Sequence, residues 1–289
     1  MYRRNISDCR IMGQGCNVGK PNLWQKQTEL SIMILTITNQ KGGIGKSTTA
    51  QNIGAGLAKR GYKTLLIDLD AQANLTLATG LKSADIAGTA FEILQDKSSI
   101  KAVDCIADLK DNLYIIPASL KLSQADLLIT GIGKELRLKK ALEPIKDKFD
   151  FIVIDTPPSL GILTVNALTT ADKVILPAQA DLFSLEAIKQ LYGNLQLVKE
   201  FYNPSLLIEG ILLTRYASRN ILTQNLTEQF KNLADSIQTK VFKNSIREAI
   251  AIKESQTSRQ DIFDYAPECN VALDYLGVVD EIIKDTIRS

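Results

Sequence analysis

Histidine is absent from the 289 residues. That absence removes Ser-His-Asp and Cys-His nucleophilic chemistry and every imidazole metal site. Any catalysis falls to carboxylates, lysines, backbone dipoles and a bound cation. Cysteine is scarce: Cys9, Cys16, Cys105 and Cys269 form no CxxC pair and are too scattered for a disulfide framework. No apolar run approaches the roughly 18 residues that span a bilayer. No continuous apolar segment follows Arg3-Arg4, so neither a secretory nor a twin-arginine signal is expected and the chain reads as cytoplasmic. A global excess of positive charge is missing as well, since the formal net charge is only +2. Residues 1–32 hold five basic against two acidic residues, which leaves the remainder at a net −1. Any nucleic-acid binding must use a local patch.

What is present begins at Met33. Met33-Ile34-Leu35-Thr36-Ile37-Thr38 is an apolar run that leads into Asn39-Gln40-Lys41-Gly42-Gly43-Ile44-Gly45-Lys46-Ser47-Thr48 and then a helical pattern over 46–60. Strand, glycine-rich loop, Lys-Ser and helix make the layout that cradles a nucleotide triphosphate. Glycines let backbone N–H groups turn toward phosphate, and the helix points its positive end at the same anion. Lys46 reaches the β- and γ-phosphates, and the Ser47 hydroxyl sits on Mg²⁺. Upstream, Gly13-Gln14-Gly15-Cys16-Asn17-Val18-Gly19-Lys20-Pro21 imitates such a loop. It fails because its glycine spacing is wrong, Pro21 replaces the hydroxyl and no strand precedes it. Residues 1–32 are expected to be a poorly ordered extension or an upstream start, and 33–289 a single domain.

Further apolar strands are expected at 64–68, 113–116, 151–155, 174–177 and 206–214, with helices at 120–129, 133–147, 184–202 and 220–236. Continuous apolar strands are buried on both faces, so the fold class is α/β, a mostly parallel twisted sheet with helices on both faces. Phe151-Ile152-Val153-Ile154-Asp155 delivers a carboxylate to the edge beside the phosphate loop, where Asp155 can hold the Mg²⁺ shell. Thr156-Pro157-Pro158 forms the adjoining turn, where a γ-phosphate sensor belongs. Asp68 and Asp70 close the second strand in the same way.

The loop departs from the common pattern. Gln40 stands where the first glycine usually does, and Lys41 opens the loop. The KGGxGK[ST] form resembles the deviant Walker A motif of the ParA/MinD family of P-loop ATPases. The resemblance covers nearly all of 33–289 and is closest to ParA-type (Soj-like) partition ATPases. It implies ATP and Mg²⁺ as cofactors, with Lys41, Gly42, Gly43, Ile44, Gly45, Lys46, Ser47 and Thr48 around the phosphates and Pro158 nearby. It implies that Lys41 crosses a sandwich dimer to the partner's nucleotide, that Asp70 orients the attacking water, and that Asp68 supports the metal shell with Ser47 and Asp155. Ala71 replaces a proline common in that switch segment. Thr214-Arg215 falls where the family contacts the base. DNA binding of this kind is sequence-independent, and Arg219, Lys243, Arg247 and Lys253 match or neighbour its basic positions. Lys240 and Arg259 could join that patch.

The last helix, Val271 to Arg288, has four acidic and two basic residues on its polar face. Anionic lipid would repel it, which disfavours a MinD-like membrane cycle. The expected protein is a nucleoid-associated partition ATPase that dimerises on ATP, binds double-stranded DNA non-specifically and is stimulated by a ParB-like protein. Turnover is expected to be slow, because no arginine finger is evident. The alternatives are a ParA-like ATPase that positions another cargo, and a dethiobiotin synthetase-like or cobyrinate-amidating enzyme. An iron-protein-like carrier is disfavoured because Cys105 and Cys269 do not match its ligand positions.

Overall fold

The computed structural model describes residues 32–81, 86–96, 98–217 and 221–287. The expectation for 1–32 falls, except for Ile32, outside them, and so does Arg219.

Seven strands form one sheet in the order β3-β4-β2-β5-β1-β6-β7. They are β1 (Met33–Ile37), β2 (Thr64–Asp68), β3 (Ala107–Lys110), β4 (Leu113–Ile116), β5 (Phe151–Asp155), β6 (Lys173–Gln179) and β7 (Leu207–Thr214). All pairings are parallel except β3 against β4. β1, β2 and β5 are buried along their whole length, as continuous apolar runs require in a sheet covered on both sides. Alternate residues serve opposite faces. Leu35, Leu66 and Val153 point to one core, while Ile34, Leu65 and Ile152 point to the other.

Among the described residues the helices are α1 (Lys46–Lys59), α2 (Asn74–Ala78), α3 (Ala90–Ile93), α4 (Ala125–Leu128), α5 (Arg137–Leu142) and α6 (Ile162–Thr170). Then come α7 (Leu182–Phe201), α8 (Ile221–Ser236), α9 (Ile250–Thr257), α10 (Ile262–Tyr265) and α11 (Asn270–Ile287). α1 and α11 pack closely on the first core, where a Cβ on Gly56 would lie 2.7 Å from Val279. α11 buries Val271, Ala272, Tyr275, Val278, Val279 and Ile282 there. Its acidic face is tied to the rest of the chain. Asp280 accepts two bonds from Arg60 at 2.8 Å, and Asp274 and Asp285 pair with Arg247 and Lys240.

Two predicted helices are broken. The stretch 120–129 is a 3-10 turn (Leu120–Gln124) followed by the short α4, and 133–147 splits into a 3-10 turn (Lys134–Leu136), α5 and another turn (Lys146–Lys148). Pro144 cannot donate in a helix interior, which explains the second break. β1 lies between β5 and β6, whereas the next strand in the chain, β2, lies beyond β5. The chain reverses direction across the sheet at β1, and the crevice at such a switch point is where α/β sheets bind ligands.

Candidate phosphate-binding site

The loop after β1 is pinned from below. Asn39 donates to the Pro177 carbonyl at 2.7 Å and accepts from the Lys41 amide at 3.0 Å. The Thr214 hydroxyl donates to the Ile44 carbonyl at 2.8 Å, fixing the middle of the loop to the end of β7. Gly43 and Gly45 have φ of 73° and 88°, values that L side chains rarely adopt. A Cβ built on Gly42, Gly43 or Gly45 would meet nothing within 4 Å, so the space over the loop is open. α1 then starts with no side-chain cap and no acidic residue in its first turn. Its first amides keep their donors and the positive end of the helix dipole for an external anion. Lys46 is buried and donates to the Lys41 carbonyl at 3.1 Å. Burial pushes the Lys46 pKa down, and Asp155 and Asp70 oppose that shift.

Two carboxylates meet this loop from neighbouring strands. Asp68 and Asp155 are register partners at the ends of β2 and β5, and both are fully buried. Their surroundings differ. Asp68 accepts from the Thr76 amide at 2.9 Å, the Thr76 hydroxyl at 2.7 Å and the Asp70 amide at 3.0 Å. Burial still raises it to about 6, because those bonds only partly offset desolvation. Among the described residues neither oxygen of Asp155 accepts a hydrogen bond. Its pKa is raised well above the ordinary value by burial and then by Asp68, while the nearby Ser47 hydroxyl and Lys46 favour its charged form.

A buried carboxylate with both oxygens unpartnered calls for a cation. Among the described residues no group of three His, Cys, Asp or Glu side chains could cage a metal. That fits Mg²⁺, which takes one or two protein ligands and fills the rest of its shell with phosphate and water. Asp155 and Ser47 would hold it, with Asp68 behind Asp155.

The open side of the loop forms a cleft of about 600 Å³ lined also by Thr48, Asp70, Gln72, Pro158, Arg215 and Arg259. Asp70 is buried, and one of its oxygens accepts from the Gln72 amide at 3.0 Å. A narrow side cleft of about 80 Å³ runs from Gly45 and Thr48 to Thr214, Arg215 and Tyr275. The structure thus brings together the loop, Asp68, Asp70, Asp155, Pro158, Thr214 and Arg215. The Thr214 hydroxyl, however, is already bonded to the loop.

Lys41 sits at the mouth and is held within its own chain. Its ammonium donates to Asp181 at 2.7 Å and to Ser184 at 3.1 Å. Asp181 is the N-cap of α7 and also accepts from the Ser184 amide at 2.7 Å. Burial raises the Asp181 pKa, but Lys41 and Ser184 outweigh it and hold the carboxyl below its ordinary value. Sequence reasoning missed Asp181 and Ser184, since nothing local marks a partner so far along the chain.

Among the described basic candidates, two are paired with carboxylates. Arg247 bonds Asp274 through Nε at 2.7 Å and Nη2 at 2.8 Å. Lys240 pairs with Glu209 and Asp285, and the Lys243 amide donates to Glu281 at 3.1 Å. Lys253 is exposed on α9. α9 itself reaches the site, because Gln256 donates to the Thr48 hydroxyl at 2.7 Å.

Fold, loop and orphaned carboxylate together define a P-loop nucleotide-binding protein. The family described as an AAA domain matches residues 32–208. Over 251 residues the chain is 40% identical to the sporulation initiation inhibitor protein Soj of Bacillus subtilis, covering 86% of this chain and 97% of Soj. It is 36% identical to the chromosome partitioning protein ParA of Myxococcus xanthus, covering 89% of this chain and 90% of that one. Among solved structures, cobyrinic acid a,c-diamide synthase of Mycobacterium smegmatis with bound ADP and magnesium superposes with a TM-score of 0.75 at 28% identity, over 88% and 95% of the two chains. The chain belongs to the ParA/Soj-type family of partition ATPases.

Proposed function

We propose that this protein is a ParA-type partition ATPase that uses ATP with Mg²⁺ as a dimerisation switch. One observation carries the reading. An open, uncapped phosphate cradle and an Asp155 unpartnered among the described residues share one sheet edge with a second loop lysine, whose ammonium is held there by Asp181 and Ser184. The relatedness to Soj and ParA supports the same role. Loop amides and Lys46 bind the phosphates, and Ser47 and Asp155 would hold a cation, which would supply charge neutralisation to the polyphosphate. Asp70 faces the cleft and orients the attacking water. Lys41 exchanges Asp181 for a phosphate of the partner's nucleotide, so subunit affinity depends on ATP. Turnover in isolation is slow.

Dimerisation adds the DNA avidity of two basic surfaces, and contacts to phosphate alone carry no sequence information. In this chain Lys253 and Lys243 are the described candidates, because Asp274 neutralises Arg247. A ParB-like protein stimulates hydrolysis, and the protein works in the cytoplasm on the nucleoid. Among the described residues no helix is long and apolar enough to cross a membrane. The cargo is a plasmid or chromosome.

Asp70→Ala tests the switch. ATP binding is expected to persist while hydrolysis stops, which traps the dimer. A monomer with ATP and Mg²⁺ in sedimentation would overturn the role of Asp70.

A further inference from the structure

The cap of α9 has an unusual occupant. The Gln260 amide donates to the Ser255 carbonyl at 2.9 Å, and the Arg259 amide donates to the Gln256 carbonyl at 3.1 Å. This pair of bonds is the Schellman closure, and the residue between its two reversals must be left-handed. Arg259 has φ of 55° there. Glycine is the residue that fills this position without strain, whereas an arginine pays with crowding at its Cβ. Gly80, just after α2, lies against it: a Cβ there would come within 3.3 Å of the Arg259 Cβ, so the bare glycine leaves the arginine its room.

Among the described residues the side chain has no ion-pair partner to compensate. Five arginines fall among the described residues. Arg60, Arg137 and Arg247, none of which lines the main cleft, each pair with a carboxylate. Arg215 and Arg259 line the cleft and make no ion pair among the described residues. Their neighbours there are the glycine loop, Lys46, Ser47 and Asp70. Guanidinium presents a rigid fork of donors that matches phosphate oxygens, and strain at a non-glycine left-handed residue persists where function retains it.

We propose that Arg259 is a phosphate-binding residue of the nucleotide site, held over the cradle by the left-handed cap of α9. The proposal rests on the nucleotide reading above. It adds a guanidinium in cis to the cations Lys46 and Mg²⁺ that neutralise the polyphosphate. Because Gln256 of the same helix bonds Thr48, α9 would touch the nucleotide site at two points.

Arg259→Gly separates binding from folding. It deletes the guanidinium and places the favoured residue at the cap, so the melting temperature is expected to stay level or rise. With Mg²⁺ present, kcat/KM for ATP is expected to fall by about tenfold or more, the worth of a lost charged hydrogen bond. Arg259→Lys, which keeps charge but loses the fork, is expected to fall between. If kcat/KM of Arg259→Gly stays within about twofold of wild type, the proposal is overturned. Loss of DNA retention with unchanged kcat/KM would also overturn it, assigning the arginine to a DNA surface. Lys46→Ala serves as the control. Should that variant still bind ATP in calorimetry, the nucleotide reading itself fails, a result distinct from either outcome at Arg259.

Discussion

Two charged regions of this protein follow opposite rules. At the crevice beside β1, Asp155 has both oxygens unpartnered, α1 is uncapped, and Arg215 and Arg259 lack ion pairs among the described residues. Along α11 the acidic residues are engaged: Asp274 with Arg247, Asp280 with Arg60, Glu281 with Asn244, and Asp285 with Lys240. Burying a charge without a partner is costly, so the first region is built for something that arrives. The second closes on itself. It anchors the last helix to the sheet layer. Motifs alone do not reveal this difference, because both regions read as charged stretches in sequence.

The contrast can be tested first through pH. Asp68 is raised to about 6 and Asp155 well above the ordinary carboxylate value, chiefly by burial. The folded protein therefore keeps protons that the unfolded chain has released. Stability from Asp68 is fully present below the ordinary carboxylate pKa and is lost as pH rises through about 6, and Asp155, raised for the same reason, adds a loss in the same direction. Mg²⁺ with ATP reverses the penalty, because a cation favours the charged forms. The ligand-free protein is expected to melt several degrees lower at about pH 7.5 than at about pH 5. The rise on adding Mg²⁺ and ATP is expected to be larger at the higher pH. Calorimetry at the two pH values checks this, and a ligand shift independent of pH would mean that Asp155 is not the cation's partner.

A smaller effect is expected on α11. Asp274→Ala breaks a pair whose arginine is about half exposed, so it is expected to cost less than about 1 kcal/mol in denaturant titration. It also frees Arg247, and retention on non-specific DNA at low salt is expected to rise modestly. A loss of several kcal/mol would show that this pair, rather than apolar packing, holds the helix.

Much of this was legible in sequence for physical reasons. Strands buried on both faces are continuous apolar runs, which placed β1, β2, β4, β5, β6 and β7 to within one or two residues. The loop and the aspartates closing β2 and β5 were legible because phosphate chemistry fixes residue types at short spacing. β3 escaped notice because it is a short, partly exposed antiparallel edge, Ala-Asp-Leu-Lys. α6 escaped because it is buried nearly all round and shows no amphipathic stripe. Asp181, Ser184, Gln256 and Arg259 reach the site from distant chain positions, and no local pattern announces them. The expectation that no arginine finger is evident came from reading motifs alone, and the fold places Arg215 and Arg259 at the cleft.

Sedimentation of the wild type beside Lys41→Ala, each with and without ATP and Mg²⁺, tests the central claim most directly. Lys41 now bonds Asp181 and Ser184 of its own chain, and the account requires it to trade them for a second subunit's nucleotide. The wild type is expected to be monomeric alone and dimeric with ATP and Mg²⁺, and the variant monomeric in both. A Lys41→Ala protein that dimerises with ATP as the wild type does would contradict the account.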